Sequence, residues 1–187
     1  YARVDTVNAP LLKKMKKAGI NWLCYGFEPA NEKVRAGVGK KTSQDRTRDV
    51  ISMTQDAGIN ILANFIFGLP DDNLETMGET LDMAKEHLFE YVNFYTAMAY
   101  PGSQLYTDAL KRGIPLPKSW SGYGQYSEDC LPLPTKYLPS SEVLRFRDRA
   151  FKDYLSNTRY QKMIGDKFGP KAVDHIQDLL THDIKRR

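Results

Sequence analysis

Amphipathic stretches at helical spacing alternate with short continuous apolar runs, and one phrase marks the junction twice. Ala18-Gly19-Ile20-Asn21 opens the run Trp22-Leu23-Cys24-Tyr25-Gly26-Phe27-Glu28. Ala57-Gly58-Ile59-Asn60 opens Ile61-Leu62-Ala63-Asn64-Phe65-Ile66-Phe67-Gly68-Leu69-Pro70. A Gly closing a helical pattern is a left-handed helix stop. A continuous apolar run bounded by turn residues predicts a strand buried on both faces. Repeated helix-then-strand units imply a parallel sheet, whose chemistry gathers at the turns after the strands.

The pattern predicts strands at 21–28, 59–68 and 91–99, after a stub at Arg3-Val4-Asp5. Asn8 caps a first helix, with Pro10 in its opening turn and Leu11, Leu12, Met15 and Ala18 facing inward. Lys13, Lys14, Lys16 and Lys17 fall off that stripe and read as a solvated face. Residues 31–41 read as a polar connection. Thr42 or Ser43 caps a second helix, with Val50, Met53, Thr54 and Ala57 inward. Asp72-Asn73-Leu74-Glu75 is a capping-box candidate for a third, whose stripe is Leu74, Met77, Leu81, Ala84 and Leu88. A short helix then runs to Gly113.

At Gly113 the composition changes. Residues 114–139 hold five prolines together with Trp120, Tyr123, Tyr126 and Tyr137. That is too irregular for a helix or strand and too aromatic for a disordered linker, so an ordered loop packed over the sheet is expected. Ser140 or Ser141 starts another helix. Pro170 opens a last one, and Lys185-Arg186-Arg187 is expected to fray. The domain reading is a parallel α/β half barrel at 1–113 and a loop-and-helix extension at 114–187.

Among 187 residues, 41% are hydrophobic, which is enough for one core. No apolar run is long enough to span a bilayer. With two cysteines, a disulfide scaffold is excluded and a reducing cytoplasm is the expected setting. A net charge of +4 does not call for nucleic acid. The chain opens on Tyr1, in what reads as a strand already under way, so a piece of a longer protein is expected. A strand edge left open by such a cut would favour self-association.

Metal ligation finds no support. His87, His175 and His182 are far apart, and neither Cys24 nor Cys130 pairs with them at ligand spacing. Both thiols read as core packing. Glu28 ends a wholly apolar strand, so its carboxylate faces the site end of the sheet. It suits ribose hydroxyls or an ammonium group, and equally a salt bridge. Alternation puts Asn64 and Ile66 on one face of their strand and Phe65 and Phe67 on the other. Gly68 would let a ligand ring approach the backbone, or simply end the strand.

Four phrases occur in order at one-unit spacing: Arg3-Val4-Asp5, Tyr25-Gly26-Phe27-Glu28, Ile66-Phe67-Gly68-Leu69-Pro70, and Tyr100-Pro101-Gly102-Ser103 with Leu105-Tyr106. Together they resemble the C-terminal half of a radical S-adenosylmethionine (radical SAM) core domain. The resemblance covers residues 1–112 and is greatest to the branch whose members often carry a cobalamin-binding domain. It implies a partial (β/α)6 barrel that binds SAM at its strand ends, beside a [4Fe–4S] cluster. Reductive cleavage of SAM then yields a 5′-deoxyadenosyl radical, which takes hydrogen from a small-molecule substrate. Carried over by motif, Glu28 contacts the ribose or amino-acid portion of SAM. Asn64, Ile66, Phe67 and Gly68 match the strand flanking adenine, and Ala99, Tyr100 and Pro101 match the last strand end. Arg3 and Lys40 are the carboxylate partners. The three-cysteine motif that holds the cluster in this family is absent, so the chain by itself is expected to bind no cluster. Half of a conventional acid–base (β/α)8 barrel and a partner-binding module remain alternatives.

Overall fold

The computed structural model describes residues 1–27, 29–37 and 43–186. Three strands, β1 (Trp22–Gly26), β2 (Asn60–Phe67) and β3 (Tyr91–Thr96), form a sheet in the order β1-β2-β3. Both pairings are parallel, with Gly26 opposite Asn64 and Asn64 opposite Asn93. Ala2 adds a parallel bridge to Tyr25 on the outer side of β1. The helices are α1 (Ala9–Lys17), α2 (Glu32–Gly37), α3 (Gln44–Asp56), α4 (Leu74–His87), α5 (Gln104–Lys111), α6 (Ser140–Leu155), α7 (Thr158–Phe168) and α8 (Pro170–Leu180). The three predicted strands are all present, and all are parallel.

The duplicated phrase folds as expected. Gly19 and Gly58 follow α1 and α3 with φ of +90° and +71°, a conformation open to glycine at little cost. The Asn60 N–H donates to Asn21 O at 2.9 Å. Lys16 Nζ donates to Asn21 Oδ1 at 2.7 Å and to Gly58 O at 2.6 Å. Lys16 is therefore a clamp between the two repeats and not merely part of a solvated face.

The strands are not buried on both faces, as their apolar runs suggested. Along β2, Ile61, Ala63, Phe65 and Phe67 are buried, whereas Leu62, Asn64 and Ile66 are only partly so. Helices cover one face, and the other lines a half-open concavity. The covered face carries a continuous aromatic layer. Phe27 stacks on Phe89 at 4.9 Å, Phe67 on Phe94 at 5.2 Å, and Phe146 of α6 meets Phe67 edge-on at 5.0 Å. Tyr25 joins this layer because its hydroxyl has a buried partner. Thr54 Oγ1 donates to Val50 O at 2.7 Å, which leaves the Tyr25 hydroxyl to donate to Thr54 Oγ1 at 3.0 Å. Burial pushes the Tyr25 phenol pKa up, with the Thr54 bond and Arg46 opposing.

Several local readings need correction. Leu11 and Leu74 are exposed, since each lies in the first turn of its helix, at the edge of the buried stripe. Residues 32–37 form α2 within the expected polar connection, and α7 was not expected at all. The capping box of α4 is Asn73 with Thr76, not a glutamate. As expected, α6 starts at Ser140, with Pro139 before it. Arg186 is anchored: its guanidinium bonds both carboxylate oxygens of Asp148, at 2.9 and 2.8 Å, and reaches Ser127 O and Gln125 O.

The extension docks through polar contacts to backbone atoms of the sheet. Tyr154 of α6 donates to Phe89 O at 2.8 Å, and the buried Arg147 Nε donates to Phe94 O at 2.8 Å. Glu90, 3% exposed, accepts from the Ile61 N–H at 2.7 Å and pairs with Lys167 of α7. Among the described residues no helix is long and apolar enough to cross a membrane. Glu90→Ala leaves the buried Ile61 N–H without an acceptor and should lower stability by about 1–3 kcal/mol in urea denaturation. Glu90→Gln keeps that acceptor and should lose less.

Candidate functional site

The C-terminal ends of the three strands converge on one rim. After β1, the Ala30 N–H donates to Thr80 Oγ1 at 3.0 Å, Gln44 donates to Ala30 O at 2.8 Å, and the buried Arg35 donates to Pro29 O at 3.2 Å. The turn after β1 is thereby tied to α4, α3 and α2. Val34 of α2 packs with Leu69 and Ala97, and Ile66 rests against that cluster. A small apolar shelf thus joins the ends of β2 and β3.

The Gly68-Leu69-Pro70 turn is shaped from behind. Gly68 has φ of +79°, and a Cβ there would overlap the Val143 Cγ1 methyl of α6. Asp72, 1% exposed, accepts from the Leu69 N–H at 2.9 Å and from Thr76 Oγ1 at 2.7 Å. Burial raises the Asp72 pKa, against the hydrogen bonds from Thr76, Leu69 and Gly68 that lower it. Lys136 pairs with Asp71, and its N–H donates to Pro70 O at 2.9 Å. The Leu133 N–H donates to Ala97 O at 3.0 Å. The aromatic, proline-rich loop is ordered and lies against this rim.

A polar row crosses the concave face below the rim. Asn93 Nδ2 donates to Asn64 Oδ1 at 2.9 Å, and Asn64 Nδ2 donates to Cys24 Sγ at 2.9 Å. Cys24 is accordingly half-buried on the concavity and not in the core. Burial raises the Tyr95 phenol pKa, and Tyr126, Tyr1, Cys24 and Tyr91 add to the effect. Cys130 is buried beside Met98 and Leu144, and burial pushes its thiol up.

The sequence-derived site residues divide by position. Ile66 and Asn64 face the concavity, partly buried. The Phe67 side chain is fully buried on the helix side, so only its backbone reaches the rim. Ala99 is buried with Ala109 and Leu133. Tyr100 is exposed and stacks on Tyr123 at 5.8 Å, and Pro101 is exposed beside it. Arg3 is 78% exposed and pairs with Asp5 at 2.6 Å. Glu28 and Lys40 lie outside the described residues. Asp72, Val34 and Asn93, the partner of Asn64, were missed. Asp72 was visible only as part of a capping signal, and Asn93 sat unremarked within an apolar run.

Residues 3–84 match the model of the Radical SAM superfamily. Over 122 residues the chain is 30% identical to an uncharacterized methyltransferase of Pyrococcus horikoshii, covering 65% of this chain and 27% of that protein. Over 156 residues it is 28% identical to a bacteriochlorophyllide d C-8(2)-methyltransferase of Chlorobaculum tepidum, covering 82% and 33%. Among solved structures, TsrM of Kitasatospora setae, a radical SAM methyltransferase with cobalamin and a [4Fe–4S] cluster bound, superposes with a TM-score of 0.56 at 14% identity. That match covers 63% of this chain and 24% of TsrM, and at this identity it speaks for the fold. The chain spans between a quarter and a third of these two curated relatives.

Gly68→Ala should destabilise the chain by more than the roughly 1–2 kcal/mol of left-handed backbone strain, because the new methyl also meets Val143. In thermal melts Val143→Ala should restore only the packing part. The raised Asp72 pKa sets a pH dependence. An acid that holds its proton more tightly when folded contributes most below its unfolded value of 3.8. That contribution declines as pH rises through the folded value. The stability difference between the wild type and Asp72→Asn should therefore shift against the wild type as pH rises above 3.8.

Proposed function

We propose that the rim at the strand ends is the adenosyl-facing wall of a SAM site, and that the chain serves a radical SAM enzyme transferring a methyl group to a small molecule. The carrying observation is the shelf of Val34, Leu69 and Ala97 beside Ile66, set at the ends of adjacent parallel strands within and beside the stretch that matches the family. The names of two methyltransferases among the relatives support the reaction class.

The residues present fit SAM. Ile66 offers an apolar contact to a flat base, and the Gly68 carbonyl and the Ala99 backbone offer hydrogen bonds to its edge. Glu28 is the proposed acceptor for ribose or ammonium groups. When bound beside a cluster, SAM supplies the carbon radical that starts the reaction. The roles of this chain are to seat the adenosyl group, to hold Gly68-Leu69-Pro70 through Asp72, and to exclude water along the shelf. For a [4Fe–4S] cluster the residues do not fit. The described residues contain no group of three His, Cys, Asp or Glu side chains placed to hold a metal. Cys24 is engaged with Asn64, and Cys130 is buried. In the whole enzyme the cluster requires ligands from outside this set, and cobalamin is proposed as its further cofactor.

The test is a methyl-labelled NMR titration of the chain with SAM. Shifts should appear at Ile66, Leu69 and Val34 but not at Ile164 or Leu179 on the far side. Ile66→Ala should weaken binding several-fold, as expected for roughly 1 kcal/mol of lost apolar contact. Shifts confined to the far side, or none at all, would sink the assignment.

A further inference from the structure

We infer that the chain carries a second small-molecule site, for a flat aromatic carboxylate, at the end of the sheet opposite the SAM rim. The inference stands independently of the SAM reading. A cleft of about 750 Å³ opens where Trp22 and Tyr91, at the starts of β1 and β3, face α6, α7 and α8. This volume lies within the roughly 300–1,000 Å³ typical of small-molecule pockets.

Three features of the cleft specify its ligand. First, its largely exposed apolar side chains are all aromatic: Trp22, Tyr91, Tyr126 and Phe168 are 45%, 47%, 54% and 41% exposed. Of its aliphatic members, Leu155, Ile164 and Ile176 are buried behind them, and Leu179, Leu180 and Ile184 are partly buried. A ligand entering from solvent therefore meets ring faces first. Trp22 and Phe168 already stack at 5.7 Å with 17° between their planes, so the entrance is built for flat surfaces.

Second, the acids lining the cleft are neutralised from within the chain. Glu90 pairs with Lys167, Asp148 with Arg147 and Arg186, and Asp183 with Lys152. Third, three basic side chains at the cleft have no carboxylate partner among the described residues. Arg149 lies across the Phe146 ring at 5.6 Å, His175 is exposed on α8, and His182 Nδ1 lies 2.8 Å from the backbone Asp178 O. The electrostatic remainder favours an anion, and the planar guanidinium suits a carboxylate. Four exposed aromatic rings around an apolar interior also exceed what an isolated surface hydrophobe requires.

The probe is 1-pyrenebutyrate, added to a Trp120→Phe chain in which Trp22 is the remaining tryptophan. Saturable one-to-one energy transfer from Trp22 to pyrene is expected. In the Arg149→Gln, His175→Gln double variant the affinity should fall tenfold or more. 1-Pyrenebutanol, which lacks the carboxylate, should bind correspondingly more weakly to the unsubstituted cleft. Methyl NMR of the wild-type chain provides a readout that needs no variant: shifts should fall on Ile164, Ile176 and Leu179 and not on Val34 or Leu69. Equal affinity for the alcohol and the acid would overturn the carboxylate assignment. Displacement by palmitate at equal or lower concentration would overturn the aromatic one. Non-saturable transfer, or shifts only at the SAM rim, would overturn the site itself.

Discussion

The sheet is dry on one face and half-open on the other, and that asymmetry organises the rest of the molecule. Phe27, Phe65, Phe67, Phe89 and Phe94 make a single aromatic layer with no more than 3% exposure. A wide flat layer of this kind buries much apolar surface while each ring keeps few rotatable bonds. It also fixes the strands in register, so that their ends stop at a common level. The rim owes its geometry to this layer, although the rim residues touch it mainly through backbone. Phe67 illustrates the division: its ring is locked between Phe94 and Phe146, while its carbonyl accepts from the Ala97 N–H at 2.8 Å.

The open face has the opposite character. Its polar groups form a transverse chain, Asn93 to Asn64 to Cys24, in which each amide donates to its neighbour. Apolar side chains at those positions would favour collapse of the concavity. Hydrogen-bonded amides keep their shape in contact with water. The two ends of the concavity are furnished differently: aliphatic methyls and turn backbone at one end, exposed rings with Arg149 and His175 at the other.

Much of the fold was legible because parallel α/β units write their period into the sequence. The Ala-Gly-Ile-Asn phrase located two helix ends and two strand starts, and the apolar runs located all three strands. The same runs misled about burial. An apolar run records that the concave side carries residues such as Leu62 and Ile66, not that a second layer covers them. The turn motifs marked the rim, yet the residues that shape it from behind, Val143 and Asp72, have no local signature. Val143 lies 75 positions beyond the glycine it crowds (143 against 68). The α7 helix was missed because its role depends on Tyr160 and Lys167 meeting the backbone and side chain of Glu90.

The outer edge of β3 has a consequence for how the chain is made. Among the described residues, that edge is closed by side chains and not by a fourth strand. The Gln125 amide takes the Thr96 N–H at 2.9 Å and returns a bond to Thr96 O at 3.0 Å, and Arg147 covers Phe94 O. Gln125 and Arg147 follow the edge by 29 and 53 positions. On a ribosome moving at roughly 5–20 residues per second, β3 therefore waits seconds with its edge unpaired before its own cover has been synthesised. During that interval the nascent sheet is a template for any neighbouring strand. Slower translation beyond Thr96 would lengthen the exposure, and swift passage to Arg147 would end it.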